Sequence, residues 1–314
     1  MVAQALPSGA AMAMTILDAI GNTPLIELRN FTNGRVRVLA KLEGHNPGGS
    51  VKDRIAKQML LAAEQSGELT KDKTILEATS GNTGIGLAMV AAAKGYRVRL
   101  TMPQCVSEER RRILEAFGAE IVLTPAQEGT DGAIREARRL LSDEPERHFM
   151  PNQFDNPANV EAHYQTTGPE IVAQTGGEVD VFVAGLGTSG TVMGVGRRLR
   201  EHNPDVRIVG VEPRPGHRIQ GLKNMTEAIV PGIYDERQLD GKLTVLDEEA
   251  FAMARELSLR EGVFVGMSSG AALCGALRVA QGMKSGTVVV IFPDRGERYL
   301  STVLFRSICA ECPP

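Results

Sequence analysis

Residues 74–102, TILEATSGNTGIGLAMVAAAKGYRVRLTM, hold a complete strand–loop–helix–strand unit, and this unit predicts the fold class. The apolar run Thr74–Ala78 is followed by a loop of small and polar residues. An alanine-rich helix is predicted over Ile85–Lys94, with Gly95 ending it, and Arg97–Met102 alternates like a strand. A strand joined to the next strand by a helix is the unit from which parallel sheets are built.

The same unit recurs through the rest of the chain. Ser107 and Gly118 bound a second predicted helix, because serine favours helix starts and glycine favours helix ends. The further predicted strands are Glu120–Leu123, Val179–Ala184, Arg207–Val211, Val263–Val265 and Thr287–Phe292, and the further helices are Val192–His202 and Ala271–Gln281. Most of these strands are apolar throughout, so we expect an α/β fold of parallel or mixed sheets covered by helices on both faces.

Composition argues against several classes of function. The 314 residues carry a net charge of -3 and contain no Trp and only 4% aromatic residues, which argues against nucleic-acid binding. No apolar run approaches the roughly 20 residues of a membrane-spanning helix. The segment Met1–Met14 lacks the basic residues of a secretory signal, so we predict a cytoplasmic protein with no membrane contact.

The four cysteines are too few and too scattered to form a disulfide framework. Cys309 and Cys312 form a C-x-x-C pair near the C-terminus. A structural zinc site would need two more ligands, and none is spaced nearby. We therefore predict no metal site, with zinc binding or redox use of this pair as the alternative.

Three glycine-containing loops precede predicted helices, which is where α/β sheets bind their ligands. The first, Thr79-Ser80-Gly81-Asn82-Thr83-Gly84, offers short polar side chains and free helix amides, which suit a carboxylate or a phosphate. A plain capped turn is the alternative for this loop. A later loop, Gly266-Met267-Ser268-Ser269-Gly270, places Ser268 where it could hydrogen-bond a ring nitrogen, although a helix N-cap is the simpler interpretation.

The remaining loop, Gly185-Leu186-Gly187-Thr188-Ser189-Gly190-Thr191, is predicted to hold a phosphate through backbone amides and three hydroxyl groups. It also matches the dinucleotide fingerprint through Gly185, Gly187 and Gly190, with Glu212 about 20 residues on. An NAD-dependent oxidoreductase is therefore one alternative. Three hydroxyl groups suit a terminal phosphate monoester better than a bridging pyrophosphate.

One lysine lies at a predicted helix start. In Asn46-Pro47-Gly48-Gly49-Ser50-Val51-Lys52-Asp53-Arg54, Ser50 is a good helix cap and Lys52 falls in the first turn. The positive field of a helix N-terminus, or desolvation, lowers the pKa of a lysine, as a Schiff-base lysine requires. A solvated surface lysine is the alternative.

Together these motifs resemble those of the cysteine synthases (O-acetylserine sulfhydrylases), which are pyridoxal-phosphate (PLP) enzymes of fold-type II. The further motifs that carry the resemblance are Gly21-Asn22-Thr23-Pro24-Leu25, Asn152-Gln153-Phe154, Asn156-Pro157-Ala158-Asn159, Thr166-Thr167-Gly168-Pro169-Glu170 and Gly296-Glu297-Arg298-Tyr299-Leu300-Ser301. They occur in the same order over most of the chain. Pro293-Asp294-Arg295 resembles the B type of these enzymes. The segment 216–225 begins like the A type and then departs from it at Lys223-Asn224-Met225, so the A type stays open as the alternative.

The resemblance implies a role for each motif. Lys52 would hold PLP as a Schiff base and later act as the general base on the substrate α-proton. Asn82 would bond the ring hydroxyl oxygen, and Ser268 would face the pyridine nitrogen. The implied phosphate site is Gly187, Thr188, Ser189, Gly190 and Thr191, and the implied substrate-carboxylate site is Thr79, Ser80, Gly81, Thr83 and Gln153.

The implied reaction is the synthesis of L-cysteine by β-replacement. O-acetyl-L-serine, or O-phospho-L-serine, would lose its activating group to give an α-aminoacrylate, to which sulfide or thiosulfate adds. Arg214, Arg218 and Lys223 could place positive charge at the mouth of the site, which would favour an anionic donor or co-substrate. Solvated surface charges are the alternative. Cystathionine β-synthases and serine/threonine dehydratases share the implied fold and stay open as alternative activities.

The resemblance also implies two subdomains with the cofactor between them. The smaller, mobile subdomain would comprise residues 46–158 and carry the substrate-carboxylate loop. The larger subdomain, with the phosphate site, would comprise residues 1–45 and 159–314. The implied macromolecular partners are a second copy of the chain, in a homodimer, and a sulfur-carrier protein.

Overall fold

The computed structural model describes residues 14–32, 34–79, 81–106, 108–227 and 229–305. The predictions for Ser80, Ser107, Cys309 and Cys312, and nearly all of the segment Met1–Met14, lie outside these residues. Within the described ranges no helix is long and apolar enough to cross a bilayer. In the same ranges, no group of three or more His, Cys, Asp or Glu side chains is arranged to hold a metal ion.

Strands and helices alternate along most of the chain. In chain order the strands are β1 Leu25–Glu27, β2 Val36–Leu42, β3 Thr74–Ala78, β4 Arg97–Pro103, β5 Glu120–Thr124, β6 His148–Phe149, β7 Val181–Gly185, β8 Arg207–Pro213, β9 Gly241–Val245 and β10 Gly286–Phe292. The α-helices are α1 Lys52–Ser66, α2 Asn82–Lys94, α3 Glu108–Ala116, α4 Gly129–Asp143, α5 Pro157–Ala162, α6 Gly168–Thr175, α7 Gly190–His202, α8 Asp247–Glu261 and α9 Met267–Gln281. A π-helical turn, His163–Thr167, joins α5 to α6.

Two sheets organise the part of the chain that the structure describes. The larger has six strands in the order β1-β2-β10-β7-β8-β9, and the smaller has four in the order β5-β4-β3-β6. All neighbouring strands are parallel except β1 and β2, which pair antiparallel. The predicted α/β class with parallel or mixed sheets is therefore confirmed. The boundaries and the mobility of the two subdomains stay predictions.

The central strands of the larger sheet are buried on both faces, which explains why β7 and β10 are predominantly apolar. Along β10, Val288, Val290 and Phe292 belong to one hydrophobic core, which includes residues of α8 and α9. Val289 and Ile291 belong to the core on the opposite face, which includes residues of α7. Successive side chains of a strand point to opposite faces, so a strand covered on both sides needs an unbroken apolar run.

The predicted strand Val263–Val265 is wrong. Only Val265 forms an isolated bridge, with Arg295, and the segment is the short link between α8 and α9. Three residues between two helices, without a neighbouring strand alongside them, cannot build a ladder of backbone hydrogen bonds. The helices α2, α7 and α9 also begin earlier than predicted, inside the three ligand loops. This places the backbone amides of each loop at a helix N-terminus.

Candidate active site

A cavity of about 820 Å³ lies at the carboxyl ends of strands from both sheets. Its lining includes Thr79 after β3, Pro103 at the end of β4, Gly185 at the end of β7 and Pro293 after β10. Among the residues predicted for the site or its mouth, those that line this cavity are Lys52, Thr79, Asn82, Thr83, Gln153, Gly187, Thr188, Ser189, Thr191, Arg218, Lys223 and Ser268. Gly81 and Gly190 are adjacent to lining residues in the chain but do not line the cavity.

Lys52 lies in the first turn of α1, as the sequence predicts. The Ser50 hydroxyl accepts a hydrogen bond from the Lys52 backbone N–H at 3.2 Å. Burial lowers the pKa of Lys52, while the negative charges of Asp294 and Glu43 act in the opposite direction. Its ammonium makes no hydrogen bond or ion pair with any residue that the structure describes. Lys52 is therefore a desolvated amine that faces the cavity without a fixed partner.

The loop before α7 has three features that suit an anion. Ser189 has a φ of +69°, which is unusual for a residue other than glycine. Its buried hydroxyl oxygen has no hydrogen-bond partner among the described residues. A Cβ added to Gly187 would lie 2.6 Å from the carbonyl oxygen of Gly221, so only glycine fits there. Together with the amides of the first turn of α7, these features would suit a phosphate group.

Two residues on neighbouring elements hold the hydroxyl groups of this loop. The Asn159 side-chain amide donates to Thr188 Oγ1 at 3.0 Å. The Nε2 atom of His163 lies 3.2 Å from Thr191 Oγ1. Burial lowers the pKa of His163 to about 3, so its ring is neutral near pH 7. The Asn-Pro-Ala-Asn motif was noted in the sequence, but the contact of Asn159 with this loop was not predicted.

The loop before α2 is folded around the hydroxyl of Thr79. Thr79 Oγ1 accepts hydrogen bonds from the backbone N–H groups of Gly81 and Gly84, both at 3.1 Å. Thr83 donates to Gln153 Oε1 at 2.7 Å, and the Gln153 amide donates to the carbonyl of Ala78 at 2.9 Å. These bonds fix the loop at the N-terminus of α2, and a helix N-terminus suits a carboxylate group.

Ser268 lies in the first turn of α9 and lines the cavity. It is almost fully buried, and its hydroxyl makes no hydrogen bond to another residue of the described chain. A neutral hydroxyl is therefore available at this end of the cavity.

Four residues near the cavity were not assigned a role from the sequence. Asp294, Arg298 and Tyr299 follow β10, and Arg110 lies on α3. Arg298 donates to Asn82 Oδ1 at 2.6 Å, and Asn82 Nδ2 donates to Asp294 Oδ2 at 2.5 Å. Tyr299 donates to the same Asp294 oxygen at 2.6 Å, and Arg110 donates to the Tyr299 oxygen at 2.7 Å. Asp294 and Arg298 stand in recognised motifs, but the sequence does not indicate which residues they contact.

The three cations predicted at the cavity mouth differ in their surroundings. Arg218 forms an ion pair with Asp247 at 3.3 Å, and Arg214 approaches Glu248 at 4.0 Å. The Lys223 ammonium lies 3.6 Å from a carboxylate oxygen of Asp131, at the start of α4. Lys223 is mostly buried in the cavity lining, and burial lowers its pKa.

Glu212 does not serve the dinucleotide alternative. One of its carboxylate oxygens accepts from the backbone N–H of Met225 at 3.1 Å, and the other lies 3.5 Å from the Lys242 ammonium. Glu212 is not part of the cavity lining. The G-x-G-x-x-G match of the Gly185 loop therefore lacks the free acidic group that would bind a ribose.

Comparisons with known proteins agree on one family. The family described as pyridoxal-phosphate dependent enzyme matches residues 16–294. A cysteine synthase of Aquifex aeolicus is 49% identical over 300 residues, which cover 93% of this chain and 92% of that protein. Cysteine synthase B of Salmonella typhimurium is 47% identical over 293 residues, with coverage of 93% and 96%. The crystal structure of a cysteine synthase from Entamoeba histolytica has a TM-score of 0.89 at 39% identity, with coverage of 98% and 94%.

Proposed function

Because the chain belongs to the cysteine synthases among the pyridoxal-phosphate-dependent enzymes, we propose that it makes L-cysteine from O-acetyl-L-serine and sulfide, with Lys52 as its catalytic lysine. The observation that carries the proposal is the meeting of a desolvated lysine with two anion-binding helix N-termini in one cavity. A nicotinamide enzyme would need neither the lysine nor the second N-terminus.

The residues present fit PLP. The cradle formed by Gly187 and the unpartnered hydroxyl of Ser189 would hold its phosphate, and Asn82 and Ser268 would face its ring. When bound, PLP withdraws electrons from the substrate Cα, so that the α-proton can leave and the β-substituent can be expelled. Ser268 would offer a neutral hydroxyl to the ring nitrogen, and such a hydroxyl would not keep that nitrogen protonated as a carboxylate would.

Lys52 has two tasks in this scheme. It supplies the amine that holds the cofactor and, once released, takes the α-proton from the substrate Cα. Both tasks require a neutral amine. Burial favours that form by lowering the pKa of Lys52.

The loop before α2 would orient the substrate. The Thr83 hydroxyl donates to Gln153 and the Gly84 amide donates to Thr79, so the donors left for a substrate would be the Thr79 hydroxyl, the second hydrogen of the Gln153 amide and the first amides of α2. A substrate whose carboxylate is held there could turn its Cα–H bond toward Lys52. We also propose that a smaller subdomain, residues 46–158, closes over the bound substrate. Closure would exclude water from the reacting atoms.

Product analysis tests this proposal. The purified protein, supplied with O-acetyl-L-serine and sulfide, is expected to release acetate and L-cysteine in equal amounts and to show the visible absorption of bound PLP. Formation of pyruvate and ammonia without cysteine would instead indicate a dehydratase. A protein that takes up NAD but no PLP would contradict the proposal altogether.

The choice of activated serine depends on Lys223. Replacement of Lys223 by Ala is expected to lower kcat/KM for O-phospho-L-serine by about tenfold relative to O-acetyl-L-serine, the equivalent of ~1.4 kcal/mol. Asp131 lies beside the Lys223 ammonium, so Asp131→Asn is expected to raise the same ratio. Arg214→Ala is the matched control, because Arg214 is outside the cavity lining and lies near Glu248. An unchanged donor preference in the Lys223 variant would rule out this role.

The proposal also includes five finer assignments. They are thiosulfate as a sulfur source, the B type, a cytoplasmic location, a homodimer and a sulfur-carrier partner. The place of Lys223 in the cavity wall supports an anionic sulfur source, and the resemblance of the motifs to cysteine synthases supports the other assignments. Light scattering of the purified protein tests the dimer. Steady-state rates with thiosulfate and with sulfide test the sulfur source.

A further inference from the structure

The side-chain amide of Asn82 is held at both ends by groups of fixed polarity. Its oxygen accepts from Arg298 at 2.6 Å, and its nitrogen donates to Asp294 at 2.5 Å. A guanidinium group can only donate hydrogen bonds, and a carboxylate can only accept them. The amide therefore has one orientation, with its oxygen toward Arg298.

This orientation determines what Asn82 presents to the cavity. An amide nitrogen carries two hydrogens, and Asp294 accepts one of them. The other remains for a group bound in the cavity, which Asn82 lines. In the flipped orientation the amide oxygen would face that group and would repel an anionic or hydrogen-bond-accepting atom.

We propose that Asp294 and Arg298 are positioning residues that fix Asn82 as a hydrogen-bond donor toward the ring oxygen of PLP, an inference that rests on the proposed function.

The two positioning residues also connect parts of the chain that are far apart in sequence. Asp294 and Arg298 follow β10 of the larger sheet, whereas Asn82 begins α2 beside the smaller sheet. Arg298 also donates to the carbonyl of Gly48, in the turn that precedes Lys52. Arg298 thus contacts both the turn of the catalytic lysine and the residue that would bind the ring oxygen.

The surroundings of Asp294 leave room for its carboxylate. Asp294 is almost fully buried. Gly266, at the start of α9, faces its second oxygen, and any side chain at this position would overlap with that oxygen. The second oxygen has no hydrogen-bond partner among the described residues, so the first carries the contacts with Asn82 and Tyr299.

The test compares PLP binding in single and double variants. Asn82→Ala and Asp294→Ala are each expected to raise the Kd for PLP about tenfold and to shift the visible absorption maximum of the bound cofactor, as the loss of one hydrogen bond predicts. If Asp294 acts through Asn82, the double variant has the Kd and the absorption maximum of Asn82→Ala alone. Multiplied effects on Kd in the double variant would overturn the inference.

Three further variants separate positioning from a general loss of structure. Asp294→Asn keeps an oxygen that can accept from Asn82, so it is expected to restore the absorption maximum. Tyr299→Phe removes the other partner of Asp294 and is expected to lower Tm without moving the absorption maximum. Glu297→Gln is the neighbouring control, because Glu297 is half-exposed and pairs with Arg295.

Failure of this inference can be told apart from failure of the proposed function. If the wild-type protein binds no PLP, the proposed function fails. If the wild-type protein binds PLP, but Asp294→Ala leaves the Kd and the absorption maximum unchanged, only the positioning role fails. The positioning role is likewise contradicted if Asp294→Ala lowers Tm and leaves both binding readouts unchanged.

Discussion

Replacement of Lys52 by Ala is expected to reduce the rate of L-cysteine formation by at least about four orders of magnitude. In the proposed mechanism the variant loses both the amine that holds the cofactor and the base that takes the α-proton, and general-base catalysis alone contributes roughly 10²–10⁴. Steady-state kinetics with O-acetyl-L-serine and sulfide measure the effect. A variant with full turnover would show that the proposed mechanism is wrong.

The fold of this variant should be intact, because the Lys52 ammonium makes no hydrogen bond or ion pair with other described residues. Lys57 provides a matched control on the same helix. Its ammonium donates to the carbonyl of Leu17 at 2.8 Å and lies outside the cavity lining. Lys57→Ala is expected to keep its activity. Borohydride reduction followed by mass spectrometry should add the mass of the cofactor to the wild-type Lys52 peptide, and this added mass should be missing in Lys52→Ala.

The sequence predicts the alternating strands and helices well where burial on both faces demands an unbroken apolar run. The strand Thr74–Ala78 has the predicted bounds. The short apolar run Val263–Val265 is misread, because hydrophobicity alone does not show whether a neighbouring strand lies alongside. The sheet strand Val36–Leu42 was not predicted, because Arg37 and Lys41 interrupt its apolar run. Lys41 is nevertheless buried in the structure.

The sequence predicts the loops of the site but not the contacts between distant residues. Loops such as Thr79–Gly84 carry their chemistry in consecutive residues, so their role is visible locally. The contact between Asn82 and Asp294 joins residues separated by 212 positions. Which charged groups become buried together depends on how the sheets pack, and neither residue spacing nor composition contains that information. The charged cluster around Arg54 is a second example.

Arg54 lies at the centre of a buried ion cluster that fixes the start of α1. Its guanidinium donates to Glu43 at 2.7 Å and to Glu170 at 2.6 Å. The Lys41 ammonium lies 2.7 Å from Glu170, so two cations face two carboxylates. The Thr23 hydroxyl also donates to Glu43, at 2.6 Å. The cluster thus joins β2, α1 and α6 two residues beyond Lys52.

Arg54→Met is expected to lower the free energy of unfolding by about 3–5 kcal/mol, because it leaves the buried carboxylate of Glu43 without its guanidinium partner. Urea denaturation of the variant and the wild type measures this loss. The matched control is Arg139→Met. Arg139 also bridges two carboxylates, Glu136 and Asp143, but its side chain is 57% exposed. Exposed pairs contribute roughly 0–1 kcal/mol, so a similar loss in both variants would contradict the argument from burial.

The same cluster predicts how stability depends on pH. Burial alone would raise the pKa of Glu43, but the charge and hydrogen bonds of Arg54, with the hydrogen bond from Thr23, lower it to about 2. In the unfolded chain the pKa of this carboxyl returns to its ordinary value of 4.5. The contribution of Glu43 to stability is therefore fully present above about pH 4.5 and is lost as the pH falls toward 2, because the unfolded state then binds the extra proton.

In Arg54→Met, burial without the guanidinium is expected to raise the pKa of Glu43 instead, so protonation relieves an unpaired buried charge. The urea midpoint of the wild type should fall as the pH is lowered from 7 to 3, and this fall should be smaller in the variant. An equal dependence of the midpoint on pH in both proteins would show that Arg54 does not hold Glu43 in its charged form.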